Sequence, residues 1–246
     1  SLLRPCSRSL KSFYREPRNS IVMQPSIHPN TFGFLAAIKE NNNREWFQEN
    51  RDIYEHAWQN MKDFTQAVID GLAQSDRYIT EDIPLSKCLF RIYRDTRFSK
   101  DKAPYKTWLG AGISTAGRKL NGPEYYLHIQ PGNSFAAGGY WRPEKDHLAA
   151  IRQEIDYNGA RLLEILDEPA FKQHCQLDTQ DKLKRPPAGF DEDNPYIEFI
   201  KLKSFTAFEQ FTDDELSSPN GLERVLQAFR RMYGFKLFLH DALGEE

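Results

Sequence analysis

The residues best placed to do chemistry lie between Lys87 and Lys106. Seven of these 20 residues are Lys or Arg and two are acidic, whereas 33 bases in 246 residues would put between two and three in such a window. The guanidinium forks of Arg91, Arg94 and Arg97 can each grip two oxygens of a phosphate or carboxylate, while Lys100, Lys102 and Lys106 add less directional charge. Tyr93, Phe98 and Tyr105 can wall the same site. This pattern predicts a pocket for a small anionic or phosphorylated ligand, built from Arg91, Arg94, Arg97, Lys102, Lys106 and Tyr105, with His128 beside it. Two other readings use the same side chains. In one, the segment is a non-enzymatic module that docks an acidic protein surface or single-stranded nucleic acid, with Phe98 and Tyr105 stacking on bases. In the other, Asp95, Asp101, Glu124 or Glu45 pairs with the arginines and the remainder is solvated.

Weaker constellations lie nearby. Glu124, Tyr126, His128 and Gln130 alternate onto one face of a predicted strand, but Glu124 and His128 are ~13 Å apart along it, too far to share a metal or form a dyad. His128 is thus either a hydrogen-bonded sheet histidine or, if its face meets the basic segment, an acid or base. Ser99 and Lys102 match a Ser-x-x-Lys spacing, without a convincing helix or the companion motifs. Gly110-Ala111-Gly112 lacks the third glycine of a dinucleotide fingerprint. Gly138-Gly139 suggests a bulge or a wall that a ligand approaches closely. No metal cluster and no cofactor motif is expected, and no catalytic residue can be assigned.

These residues need a scaffold, and hydrophobic periodicity supplies its outline. Phe32 to Lys39 reads as a short helix. A second helix of about 30 residues begins at Asn42, which caps it with Glu45 reaching back, and carries the apolar stripe Phe47, Tyr54, Trp58, Met61, Phe64, Val68 and Leu72. Strands are predicted over 88–93, 107–114, 125–130, 134–141 and 203–211, with turn signals at Asn121-Gly122-Pro123 and Pro131-Gly132-Asn133. Pro143 suits a first helical position ahead of Leu148, Ile151 and Ile155, and a further helix from Ala160 to Leu166 ends by Pro169. Residues 176–195, rich in Asp, Lys and Pro, read as a loop. Leu222 to Tyr233 reads as a closing helix that ends near Gly234. Trp46, Trp58 and the series Phe205, Phe208, Phe211 read as core. The predicted class is α+β: a mostly antiparallel sheet of about five strands against a long N-terminal helix and C-terminal helices.

Composition bounds the partners. The sequence is 39% hydrophobic with 13% aromatic residues, which excludes a disordered or low-complexity chain. No run approaches the ~20 apolar residues of a membrane span. Residues 1–22 hold five bases (Arg4, Arg8, Lys11, Arg15, Arg18) against Glu16, a net of +4, so the other 224 residues carry 28 bases and 34 acids, a net of −6. That balance disfavours duplex nucleic acid as a partner. The basic tail, 1–23, has the composition of a transit peptide but little amphipathicity, and is expected to lie outside a single domain over 24–246, with Met23 a plausible start. Three cysteines, Cys6, Cys88 and Cys175, at spacings of 82 and 87 fit neither a disulfide framework nor a zinc knuckle and point to reduced thiols and a cytoplasmic setting.

Three blocks carry a resemblance. The runs Asn42-Asn43-Arg44-Glu45-Trp46-Phe47, Phe90 through Thr107, and Gly138-Gly139-Tyr140-Trp141-Arg142-Pro143 resemble signature blocks of the domain-of-unknown-function 2461 family, over about Thr31 to Leu243. The resemblance implies one α+β domain and supplies no activity, substrate or catalytic residue.

Overall fold

The computed structural model describes residues 25–244. The basic tail with Cys6 lies outside them. Helix α1 (Pro29–Glu40) opens with proline in its first turn, where a missing N–H costs nothing. The predicted long second helix is instead two: α2 (Arg44–Glu49) and α3 (Arg51–Ala73). The break falls at Asn50 (φ −111°, ψ 24°), whose backbone N–H and side-chain Nδ2 both donate to the Trp46 carbonyl, at 3.0 and 2.9 Å, so that the side chain reinforces the end of α2. The cap is Asn43, which accepts from the Trp46 N–H, and not Asn42.

The sheet is five-stranded and antiparallel, in the order β1-β2-β3-β5-β4. Its members are β1 (Leu109–Ile113), β2 (Glu124–Ile129), β3 (Ser134–Tyr140), β4 (Gln176–Leu177) and β5 (Phe205–Phe211). Four match predicted strands. The predicted strand over 88–93 does not form. Its start is a single helical turn, α4 (Leu85–Cys88), and the rest meets the sheet at an isolated bridge, Leu89 to Ala111, while Tyr93 bridges Tyr105 within the connection itself. The buried residues there, Cys88, Leu89 and Ile92, do not alternate, so no one face stays against the core. The fifth strand is β4, inside the segment read as a loop. The Gly138-Gly139 bulge is also absent, since both glycines pair in continuous register with β2 and β5.

After β3, α5 (Lys145–Asp167) bends at Asn158, which divides it into the two helical runs that were predicted, and α6 (Pro169–His174) begins at the proline expected to mark only an end. Pro143 precedes α5 and lies outside it. The turns α7 (Ile197–Ile200) and α8 (Asp213–Ser217) flank β5, and α9 (Gly221–Ala242) runs straight through Gly234. One face of the sheet meets α9 and α3: Tyr125, Leu127, Ala136, Ala207 and Phe229 are fully buried there. Among the described residues, the side chains of β2, β3 and β5 that alternate to the other face meet no long helix, and Tyr126, Phe135 and Phe208 remain partly exposed on it. Phe208 therefore leaves the core expected for it, because residues 205, 207, 209 and 211 point inward at the period of a strand.

Candidate functional site

The basic connection runs from Arg91 to Lys106 and folds back on itself as a short, irregular ribbon. Lys106 N donates to Ile92 O at 2.7 Å and Arg94 N to Pro104 O at 2.9 Å. Its base is held from outside by Asn42, whose amide donates to the Tyr105 carbonyl and accepts from the Tyr105 N–H, both at 3.0 Å. The Tyr105 ring, 6% exposed, stacks on Phe47 at 4.1 Å. Tyr105 thus joins the connection to the α2–α3 corner.

The predicted cations fall into two groups. Arg94 pairs with Asp101 at 2.5 Å and Arg97 with Asp95 at 2.6 Å, while Lys102 Nζ donates to Thr96 O at 2.9 Å. The hydrogen bond from Arg97 holds the Asp95 carboxyl down at about 2, and the Arg97 guanidinium is shifted upward for the same reason. Ser99 and Lys102 lie on no helix. The second group is Arg91 and Lys106, with Arg118 from the turn before β2. Lys106 Nζ donates to the carbonyls of Arg91 and Tyr93, and no described carboxylate pairs with it or with Arg91 or Arg118. Burial, then the charges of Arg91 and Arg118, hold the Lys106 ammonium below the usual lysine range. Arg118 was not singled out by spacing. It sits in a short 3₁₀ turn, Gly117–Lys119, and donates to the carbonyls of Ser86 and Lys87 at 3.1 and 2.8 Å.

From this group, a chain of rings leads onto the open sheet face. Lys106 Nζ stands 5.1 Å over the Trp108 ring, and Trp108 meets both Phe90 and His128. His128 is 7% exposed, bonded to Tyr126 Oη at 2.9 Å and Gln130 Oε1 at 3.0 Å, and stacked on Phe135 at 4.8 Å. Burial holds its pKa below the ordinary histidine value, partly offset by the Gln130 contact. A neutral ring in that setting has both nitrogens occupied.

Beyond the rings lies a cleft of about 570 Å³, within the usual range for small-molecule sites. Phe90, Tyr126, Phe135, Trp141 and Phe208 wall it, and Glu124 lines it at the start of β2. Glu124 Oε2 is buried without a hydrogen-bond partner among the described residues, and desolvation pushes the carboxyl up to about 7. Space for it exists because Gly112 on β1 has no side chain: a Cβ there would stand 3.2 Å from Glu124 Oε2 and 2.8 Å from Arg118 Cα. Alternation placed Glu124, Tyr126 and His128 on one face, but nothing in the local pattern showed that this face stays open.

The two cysteines described, Cys88 and Cys175, are free and buried, and burial pushes their thiols up to about 11 and about 12. Among the described residues, no helix is long and apolar enough to cross a membrane. No curated protein and no solved structure matches the chain. A family model described as a conserved hypothetical protein, DUF2461, matches residues 30–238. That match spans the sheet, the basic connection and the cleft, and the chain belongs to the DUF2461 family.

Proposed function

We propose that the protein binds a small anionic or phosphorylated ligand where the basic connection meets the open sheet face, with Arg91 and Lys106 as the primary contacts and Arg118 behind them. The observation that carries this reading is the division of the cations. Arg94 and Arg97 each have a carboxylate within the connection, whereas Arg91, Lys106 and Arg118 crowd together with carbonyl partners or none. Like charges held near one another raise the energy of the empty site, and a phosphate or carboxylate would relieve it. Arg94 and Lys102 serve here to shape the connection, Arg97 is held by Asp95 at the surface, and His128 and Tyr105 support the site through the ring chain.

The test is thermal shift against phosphate, pyrophosphate, nucleotides and sugar phosphates. One or more should raise the melting temperature, and Arg91→Gln and Lys106→Gln should abolish the rise. An unchanged melting temperature with all of them at millimolar concentration overturns the reading.

One observation favours the second reading, an interaction module. Phe98, at the tip of the connection, is 95% exposed, with the Arg97 guanidinium 5.9 Å over its ring. An exposed aromatic among bases can stack on an unpaired base or enter an acidic protein surface. Binding of single-stranded DNA would fall steeply with salt and would be lost in Phe98→Ala. Filter binding at low and high salt that detects nothing removes the nucleic-acid version.

A further inference from the structure

The cleft on the open sheet face has the opposite character from the basic connection. Its only charged lining side chains among the described residues are two carboxylates, Glu124 and Asp178, and five aromatic rings make up its walls. Asp178 is partly satisfied, since its Oδ1 accepts from the Gln180 N–H at 3.0 Å. Glu124 is not: its Oε2 is buried and has no donor among the described residues. An anion placed there would face two carboxylates. A purely apolar guest would leave a buried acceptor unmatched.

Electron-rich rings around an unmatched carboxylate suit a positive nitrogen on an apolar body. The rim already shows such contacts, with the Arg118 guanidinium 5.9 Å over Phe90 and that of Arg142 4.7 Å over Trp141. Neither guanidinium pairs with Glu124. Arg118 is turned to the carbonyls of Ser86 and Lys87, and the other titratable groups that feel the Glu124 charge are the Cys88 thiol on α4 and the Tyr126 hydroxyl on β2. We propose that this cleft binds an organic cation, an ammonium or amidinium on an apolar or planar body, with the charge at Glu124 and the body against Tyr126, Phe135 and Phe208. The site borders the anion site at Arg118 but does not rest on the anion reading.

The test uses benzamidine, with benzamide and benzoate as neutral and anionic counterparts of the same size, followed by calorimetric titration of the full chain. Benzamidine should bind and benzoate should not. Binding should weaken about tenfold or more between about pH 8 and about pH 5.5, as Glu124 takes up a proton. It should weaken by a similar factor in Glu124→Gln, whose fold is checked by circular dichroism, and by about fivefold in Phe208→Ala. Arg91→Gln should leave it unchanged, so that failure here and failure of the anion reading are distinguishable. Benzoate or benzamide binding as well as benzamidine, full affinity in Glu124→Gln, or no heat with benzamidine, benzylamine or tetramethylammonium at about 10 mM would each overturn the proposal.

Discussion

Asn42 and Tyr105, 63 residues apart, exchange two hydrogen bonds of 3.0 Å as if Asn42 were a strand residue: its amide donates to the Tyr105 carbonyl and its oxygen accepts the Tyr105 N–H. A side chain here imitates a backbone ladder and closes the base of the basic connection onto the corner before α2.

Asn42→Ala leaves a backbone donor and acceptor unmatched beside the buried Tyr105 ring, and should lower stability by about 1–3 kcal/mol in chemical denaturation. Asn42→Asp keeps the acceptor but turns a carboxylate oxygen toward the Tyr105 carbonyl, so its cost should be at least that of Ala. Both should blunt any phosphate-induced thermal shift while Arg91 and Lys106 remain intact. Stability equal to wild type in Asn42→Ala would show that the connection is held elsewhere.

Arg97→Ala gives the opposite expectation. Its pair with Asp95 lies on the surface, with side chains 77% and 49% exposed, so solvent screens it and the melting temperature should not change measurably. A clear fall would mean that the connection depends on this pair for its shape.

How far these features were readable in advance differs by feature. Periodicity located four strands and the long helices because one face of each meets the core, so burial writes itself into the spacing. It missed the end of α2, where Asn50 alone leaves helical geometry while the apolar stripe runs on across it, and it missed β4, whose two residues pair too briefly to alternate. It also drew a strand over 88–93, where buried positions follow the irregular path of Cys88, Leu89 and Ile92. In the candidate site the cluster of bases was legible as composition. Which of them would find carboxylates was not, because the choice between Asp101 for Arg94 and open space for Arg91 depends on how the connection folds back. The cleft was the least legible part, since an uncovered sheet face is a property of where helices fail to pack.

Lys236 and Asp76 form an ion pair of 2.9 Å in which each side chain is 1% exposed, and the ammonium lies 4.9 Å from the rings of both Tyr78 and Tyr125. Removing one member strands the other charge in the core between α9 and the end of α3. Lys236→Met should therefore cost about 3–5 kcal/mol, and the double variant Lys236→Met with Asp76→Leu should lose less than either single change. Urea denaturation of all three variants measures this, and simple additivity of the two single losses would refute it.

Gly139 has φ +131°, and a Cβ there would stand 2.1 Å from the Phe205 carbonyl oxygen. Backbone cannot move aside there without breaking the pairing of β3 with β5. Gly139→Ala should cost more than about 3 kcal/mol or prevent soluble expression, through both the strained φ and the clash. Gly132→Ala provides the comparison: its φ is +68° but nothing lies within 4 Å, so strain alone acts and the loss should be about 1 kcal/mol. Equal losses at the two positions would show that the close approach to Phe205 is relaxed at little expense.

Glu124 connects stability to function through pH. Its folded pKa of about 7 lies above the ordinary 4.5 because burial disfavours the charged form. Between those values the folded chain holds a proton that the unfolded chain has released, so stability falls as pH rises from about 4.5 to about 7, and above that the full cost is present. Glutamine cannot ionise and escapes this cost. Glu124→Gln should match wild type below about pH 4.5 and exceed it by up to about 3 kcal/mol above pH 7, read as melting temperature across the range. A variant less stable than wild type at about pH 8 would mean that Glu124 finds a donor in the folded chain, and its unmatched oxygen could then no longer be the feature that recruits a cation.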